Sequence, residues 1–332
     1  MQKVPALVSA LLLGSSFNVQ SQEADLFALE LDQLLDVKVV TATQHLQKSS
    51  DTPANITVIT AKQIRDWGIH DLKEALQLVP GVNTYQSYFG YKHVNFRGVS
   101  QELYTNKSSV LINGHPAYDS LFGDARTGYV PIEAIERIEV IRGPGSVLYG
   151  TNAMAGVVNI ITKKGNGEKG GVTVRAGSDD YHYTEAQYLG ENFTIAVSER
   201  DDDGYDYSGV LDEAGSSVDL DHHHDLKNLF LDVFGESWRI NIGAFDENQK
   251  KFGTLTAVST TGQHENKGYF FDVNKSFKVL DGDLNFWLRY DNLDMFFDSA
   301  SFFPTGDPYK HFTEVERTTF EAQYKKRIDE QL

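Results

Sequence analysis

From about Gly170 onward the chain repeats one pattern, and that pattern leaves few folds open. In Leu284-Asn285-Phe286-Trp287-Leu288-Arg289-Tyr290-Asp291, the residues Leu284, Phe286, Leu288 and Tyr290 share one face while Asn285, Trp287, Arg289 and Asp291 share the other, because successive side chains of a strand point to opposite sides. The same period runs through Phe193, Ile195 and Val197, through Ile240, Ile242 and Ala244, through Tyr269, Phe271 and Val273, and through Phe320, Ala322 and Tyr324. The connections alternate in length. Short turns fall at Gly190-Glu191-Asn192, Gly235-Glu236-Ser237 and Asp281-Gly282-Asp283, and long polar stretches cover roughly 201–226, 247–266 and 294–313. Strands of about ten residues joined by alternately short and long connections are the signature of an outer-membrane barrel, and about eight such strands are expected here. A soluble β-sandwich shares the alternation, but long strands and regularly alternating loops favour the barrel. No run of about 18 apolar residues follows the N-terminus, so any spanning segment of the mature chain has to be a strand.

The N-terminus agrees with export. Lys3, an apolar stretch from Val4 to Leu13 and small residues at Ser15, Ser16 and Ser21 read as a signal peptide over residues 1–23, too short in its apolar core to span as a helix. That leaves the periplasm, the outer membrane or the medium. With 30 Lys plus Arg against 47 Asp plus Glu, a formal charge of −17, nucleic acid and anionic membrane surfaces are poor partners. The chain has no cysteine, which removes disulfides, thiolate zinc sites and a cysteine nucleophile.

Between the signal and the strands lies a domain of mixed α+β character. Thr60-Ala61-Lys62-Gln63 has the capping-box form. Leu72, Ala75, Leu76 and Val79 fall at helical spacing before Pro80-Gly81. Short apolar strands are expected at Ile56–Ile59, at Val110–Ile112 before the turn Asn113-Gly114, at Ile138–Ile141 and at Val157–Thr162. The glycine-rich stretch Gly143–Thr151 has the look of a phosphate loop, but Thr151 stands where the lysine is needed, and the β-branched run Gly156–Thr162 follows in place of a helix. A tight packing turn is the expectation, and with no nucleotide or metal motif no cofactor is expected.

The stretch Asp201–Asp225 holds nine acidic residues and no Lys or Arg. It reads as a solvated loop, with calcium or a cationic ligand as the alternative. His222, His223 and His224 cannot all face one ion from an extended strand, so no metal site is assigned. No nucleophile, base and orienting group stand together, and an enzyme is not expected.

The segments LDVKVVTAT at 35–43, ITVITAKQI at 56–64, LKEALQLVPGVNT at 72–84, NFRGVS at 95–100, VLINGHPAYDS at 110–120 and IERIEVIRGPGSVLYGTNAMAGVVNIITKK, ending at Lys164, closely resemble, in order, the plug domain of TonB-dependent outer-membrane receptors. The resemblance implies a signal peptide at 1–23, a periplasmic segment at 24–38, a plug domain at 39–167 and the N-terminal part of the outer-membrane barrel at 168–332. It implies capture of a scarce nutrient, a ferric siderophore before cobalamin, haem or a glycan, with uptake energised by TonB and its inner-membrane complex. Val39, Val40, Thr41 and Ala42 resemble the TonB box, which pairs with a strand of TonB by β-augmentation. Arg97 and Arg142 match the family arginines that latch the plug to barrel glutamates. The outward-facing plug loops at 84–92 and 115–126 imply ligand contacts from Tyr85, Tyr88, Phe89, Tyr91, Lys92 and His115. Family members close about 22 strands around the plug, whereas an eight-stranded barrel is filled by its own side chains. The chain is therefore expected to be a fragment of a longer receptor, with its latching glutamates beyond Leu332. A non-transporting truncated receptor or a small pore or adhesin is the alternative.

Overall fold

The apolar runs of the first half build a five-stranded sheet with two short helices packed on it. The structure is a computed structural model that describes residues 38–39, 41, 47–48, 55–86, 92–99, 107–118, 123, 128–150, 152–165, 169–204, 207–211, 215, 217–220, 222–253, 258–299 and 309–326; the expected signal peptide lies outside the described residues. In chain order the first part contains β1 (Lys38–Val39), β2 (Gln47–Lys48), β3 (Ile56–Thr60), α1 (Ala61–Asp66), α2 (Leu72–Gln77), β4 (Val82–Gln86), β5 (Lys92–Phe96), β6 (Ser108–Ile112), β7 (His115–Pro116), β8 (Ile135–Ile141), α3 (Ser146–Tyr149) and β9 (Gly156–Thr162). The sheet runs β3-β8-β9-β6-β7, with β6 and β9 parallel and every other neighbouring pair antiparallel. Its two faces bury different sets: Val110, Ile112, Val158 and Ile160 join Ile64, Leu72 and Leu76 of the helices, while Leu111, Ile141 and Val157 form a second cluster. That division follows from the two-residue period of a strand.

The local signals act as the chemistry requires. Thr60 Oγ1 accepts from the Gln63 N–H at 3.3 Å and Gln63 Oε1 accepts from the Thr60 N–H at 2.9 Å, so α1 carries a full capping box. Asp71 caps α2, accepting from the Glu74 N–H at 2.8 Å. The glycine-rich turn differs from expectation in one respect, since it contains the single helical turn α3. The turn forms because the Leu148 and Tyr149 N–H groups both donate to the Gly145 carbonyl at 3.0 Å. A Cβ on Gly145 would lie 2.6 Å from Val157 Cγ2, so the glycine permits close packing on β9.

The second part contains β10 (Lys169–Ala176), β11 (His182–Leu189), β12 (Phe193–Asp202), β13 (Tyr207–Leu211), β14 (Ser217–Leu220), β15 (His224–Phe234), β16 (Trp238–Gly253), β17 (Val258–Val279), β18 (Gly282–Ser299) and β19 (Tyr309–Lys326). Eight of them form one antiparallel sheet in the order β10-β11-β12-β15-β16-β17-β18-β19, and β13-β14 make a separate hairpin between β12 and β15. Several strands are longer than expected. β17 has 22 residues, about 70 Å at the usual rise, so much of the stretch 247–266 is strand instead of loop. Backbone pairing does not need apolar side chains, and polar pairs such as Gln249 opposite His264 carry the ladder beyond a lipid band of about 25 Å.

The polarity of this sheet is the reverse of a soluble protein's. Leu288 is 44% exposed while its neighbour Arg289 is 3% exposed. Val172, Val174, Ile195, Val197, Leu229, Tyr269, Phe271 and Phe320 face outward, whereas Glu185, Asp232, Asn241, Asp272 and Asp291 are buried. Near the short-turn end, Tyr188, Phe193, Trp238, Phe277 and Tyr324 are all exposed, as in the aromatic girdle of a membrane barrel. The buried polar side of the sheet wraps the first domain.

Candidate functional site at the plug–barrel interface

Among the described residues the contacts that join the two parts include three groups, and each draws its residues from distant stretches of chain. The apolar anchor is Tyr129, which meets the rings of Phe245 at 4.7 Å and Phe270 at 5.2 Å, both edge-on. Glycine makes room for it, since a Cβ on Gly243 would lie 2.2 Å from the Phe270 ring. Edge-on aromatic pairs add to what area burial already contributes.

The second group is polar and lies toward the short turns. Asp232 is fully buried and accepts from Arg239 Nε at 2.8 Å, Arg239 Nη2 at 2.5 Å, Asn241 Nδ2 at 2.7 Å and the Thr162 hydroxyl at 3.2 Å. Asn113 Nδ2 donates to Asn241 Oδ1 and to Thr162 Oγ1, each at 3.0 Å. Thr162 ends β9 and Asn113 opens the turn after β6, so the central strands of the first domain are fastened to β15 and β16. At the other end of β10, level with Arg200 and Glu247, Arg175 pairs with Glu133 at 2.6 Å, and the Glu133 N–H donates to Glu185 at 3.0 Å. Burial lowers the pKa of Lys163 beside them, with the Glu133 charge acting the other way.

The third group rims a cavity of about 150 Å³ at the long-loop end. Lys92 pairs with Glu247, His224 Nε2 lies 3.0 Å from Glu247 and its Nδ1 3.7 Å from Asp202, Arg200 pairs with Asp202 at 2.7 Å, and Arg200 reaches the helix-capping Asp71 at 3.3 Å. Carboxylates thus alternate with nitrogen-bearing side chains from one domain to the other and back. His93 stacks on Tyr85 with ring centroids 4.6 Å apart, and burial lowers its pKa, favouring a neutral imidazole.

The expected site residues fall unevenly on this map. Tyr85 and Lys92 line the cavity, with Lys92 engaged by Glu247; Tyr88, Phe89 and Tyr91 lie outside the described residues. His115 is not at an outward-facing tip. It is buried in β7, 2.9 Å from Asp272 and edge-on to Trp287 at 5.9 Å, because the tight turn at Asn113-Gly114 returns it along β6. Arg142 stays within the first domain, donating to the Pro80 carbonyl at 3.1 Å and to Asn55. Arg97 is exposed at φ +50, and among the described residues neither arginine pairs with a barrel carboxylate. Among the described residues the plug side is fastened to the wall by Asp71, Lys92, Asn113, His115, Glu133 and Thr162, roles that no local pattern singles out. Lys38 and Val39 pair with Lys48 and Gln47, Thr41 is buried, and Val40 and Ala42 lie outside the described residues. His223 bonds Asp203 at 3.2 Å and Asp225 at 3.0 Å while His224 turns to Glu247, so consecutive imidazoles diverge as expected. Ligating atoms of Asp201, His223 and Asp225 lie within 4.8 Å of one another.

Residues 48–157 match the family model described as the TonB-dependent Receptor Plug Domain. The vitamin B12 transporter BtuB of Photobacterium profundum is 31% identical over 281 residues, 74% of this chain and 45% of that protein. The chain belongs to the TonB-dependent receptor family. The ferrienterobactin receptor of Escherichia coli K12 is 32% identical to this receptor chain over 243 residues, 67% of the chain and 31% of that protein. The ferric yersiniabactin uptake receptor FyuA of Yersinia pestis superimposes with a TM-score of 0.56 at 17% identity, covering 82% of this chain and 46% of that one, which speaks for the fold alone. The receptor chain spans less than half the length of these relatives. Its first domain is the plug, its eight-stranded sheet is barrel wall, and its place is the bacterial outer membrane.

Proposed function

We propose that the protein takes up a scarce nutrient through the outer membrane, a ferric siderophore before other classes, with TonB supplying the energy by pairing with the segment at 39–42. The observation that carries this reading is a plug held against a lipid-facing wall by buried polar pairs, with a cavity where plug and wall meet at the long-loop end. Such pairs fasten the plug through hydrogen bonds that water or a ligand can replace, where an apolar seam would have to be pulled apart. Tyr85, Lys92, Arg200, His222 and His224 border the cavity and offer aromatic faces and cationic donors to an anionic chelate. The carboxylates Asp71, Asp202 and Glu247 already engage the cations, so a bound anion has to exchange partners with them. Cobalamin is the second reading, favoured by the longer match to the vitamin B12 transporter.

Uptake of radiolabelled iron, offered as a series of ferric siderophores, and of radiolabelled cobalamin is to be compared between wild-type and deletion strains with and without a protonophore. The expected result is loss of one iron chelate's uptake in the deletion strain and an equal loss on collapsing the proton gradient. Loss confined to cobalamin selects the second reading. Uptake of every substrate unchanged by deletion contradicts both.

A further inference from the structure

Thr41, in the N-terminal segment, is bonded to the plug at every polar atom. It is fully buried. Its N–H donates to Glu139 Oε2 at 2.8 Å, and its hydroxyl donates to the same oxygen. Asn159 Nδ2 donates to Thr41 Oγ1 at 3.0 Å, and the Tyr149 hydroxyl donates to the Thr41 carbonyl at 2.7 Å. Every polar atom of this residue is therefore bonded, by partners about a hundred positions away in sequence.

The partners are themselves fixed. Glu139 and Asn159 face each other across β8 and β9 and are 0% and 1% exposed. Arg137 Nε donates to the other Glu139 oxygen at 2.8 Å, and Asn159 Oδ1 accepts from the Gly114 N–H at 3.0 Å. Tyr149 comes from α3, so the glycine-rich turn at 143–150 acquires a role: it presents this hydroxyl. Around Thr41 the segment's other described backbone contacts are the two residue pairs of β1 with β2, a ladder too short to hold by itself.

We infer that Glu139, Asn159 and Tyr149 form a clamp that holds the N-terminal segment on the plug through Thr41, with Glu139 as the main positioning residue. A carboxylate oxygen accepts two donors at once, and bonds to a charged acceptor are about twice as strong as neutral ones. When Thr41 leaves, Glu139 Oε2 loses both of those donors inside a buried site, a cost that keeps the segment docked until something competes for it. Burial first, and the Glu139 charge second, push the Tyr149 pKa up, so its hydroxyl remains a donor at neutral pH. The inference deepens the reading of 39–42 as the TonB box, on which it rests only for what the freed segment does next.

The test uses the full-length protein in outer-membrane preparations, with a spin label on Lys38→Cys and the ratio of mobile to docked signal as the readout. Thr41→Val removes the hydroxyl at nearly constant side-chain volume and leaves the plug's own residues unchanged, and Glu139→Gln removes the charge. Each is expected to raise the mobile-to-docked ratio at least about tenfold, by the weight of charge-assisted bonds, Tyr149→Phe is expected to raise it less, and the Thr41→Val, Glu139→Gln double variant is expected to add little to the larger single effect. A ratio unchanged in both Thr41→Val and Glu139→Gln, with the plug still protease-resistant, overturns the clamp. Binding of the purified periplasmic part of TonB to the same samples separates the two readings. Tighter binding in the mobile variants supports the clamp acting on a TonB box, while a raised mobile ratio with unchanged binding keeps the clamp and removes the box.

Discussion

Asp232→Ala is expected to detach the plug from the barrel wall more than any other single substitution described. The carboxylate is fully buried and receives four donors, two from Arg239, one from Asn241 and one from Thr162 of the plug. Truncation leaves the guanidinium of Arg239, 18% exposed, with its charge uncompensated, and takes from the plug hydroxyl its bond to the wall carboxylate, leaving it Asn113 Oδ1 at 3.2 Å as acceptor. Breaking a buried pair by removing one partner costs about 3–5 kcal/mol, and residual exposure of Arg239 places this case near the lower end. Thermolysin cleavage of the plug along a urea series measures it, with the midpoint falling sharply in Asp232→Ala. Replacing both members, Asp232→Leu with Arg239→Leu, is expected to recover much of the loss, because the uncompensated charge is then gone. A single and a double variant with equal midpoints would mean that the ion pair does not fasten the plug.

Leu288→Arg carries the second large effect and bears on the membrane itself. Leu288 faces outward at 44% exposure and lies six residues past Gly282 at the start of β18, about 20 Å along the strand. Given strand tilt, that is near the middle of an apolar band of about 25 Å, where an arginine costs about 2–4 kcal/mol. Val279, exposed beside the turn, is the control, since near the interface the same change costs about 0–1 kcal/mol. The yield of heat-modifiable protein in outer-membrane fractions is expected to fall for Leu288→Arg and to stay near wild type for Val279→Arg. If the sheet faced water, both sites would be ordinary surface positions and neither change would exceed about 0.5 kcal/mol.

What the sequence discloses and what it conceals divide along physical lines. The alternation in Leu284–Asp291 is visible because a strand's period is two and both faces are written within eight residues. It does not say which face is wet, and the choice of barrel over sandwich needed strand length and loop alternation as well. The capping box at Thr60 and the helix at Leu72 are equally local, and they form where expected. The extra length of β16 and β17 is concealed because polar residues such as Gln249 and His264 look like loop until their backbones are seen to pair. The latches are concealed for a different reason: Thr162 and Asp232 are 70 positions apart, and Lys92 and Glu247 155, distances at which no spacing rule operates. The contact of His115 with the wall is concealed because its motif implies an outward loop, whereas the positive φ of Asn113 and Gly114 makes a turn tight enough to bring it back against β6. The triple histidine, in contrast, was legible, since alternation alone sends His223 and His224 to different partners.

The central claim is that the sheet's apolar face meets lipid while its polar face meets the plug. Spin labels placed one at a time from position 264 to 272 of β17 test it directly, through collision with dissolved oxygen, which concentrates in lipid, and with a water-soluble nickel chelate. His264, Asn266, Gly268, Phe270 and Asp272 are buried, while Lys267, Tyr269 and Phe271 are exposed. The account predicts high oxygen and low nickel accessibility at 269 and 271, and low accessibility to both reagents at 268, 270 and 272. High nickel accessibility at 269 and 271, or no alternation along the strand, would contradict it.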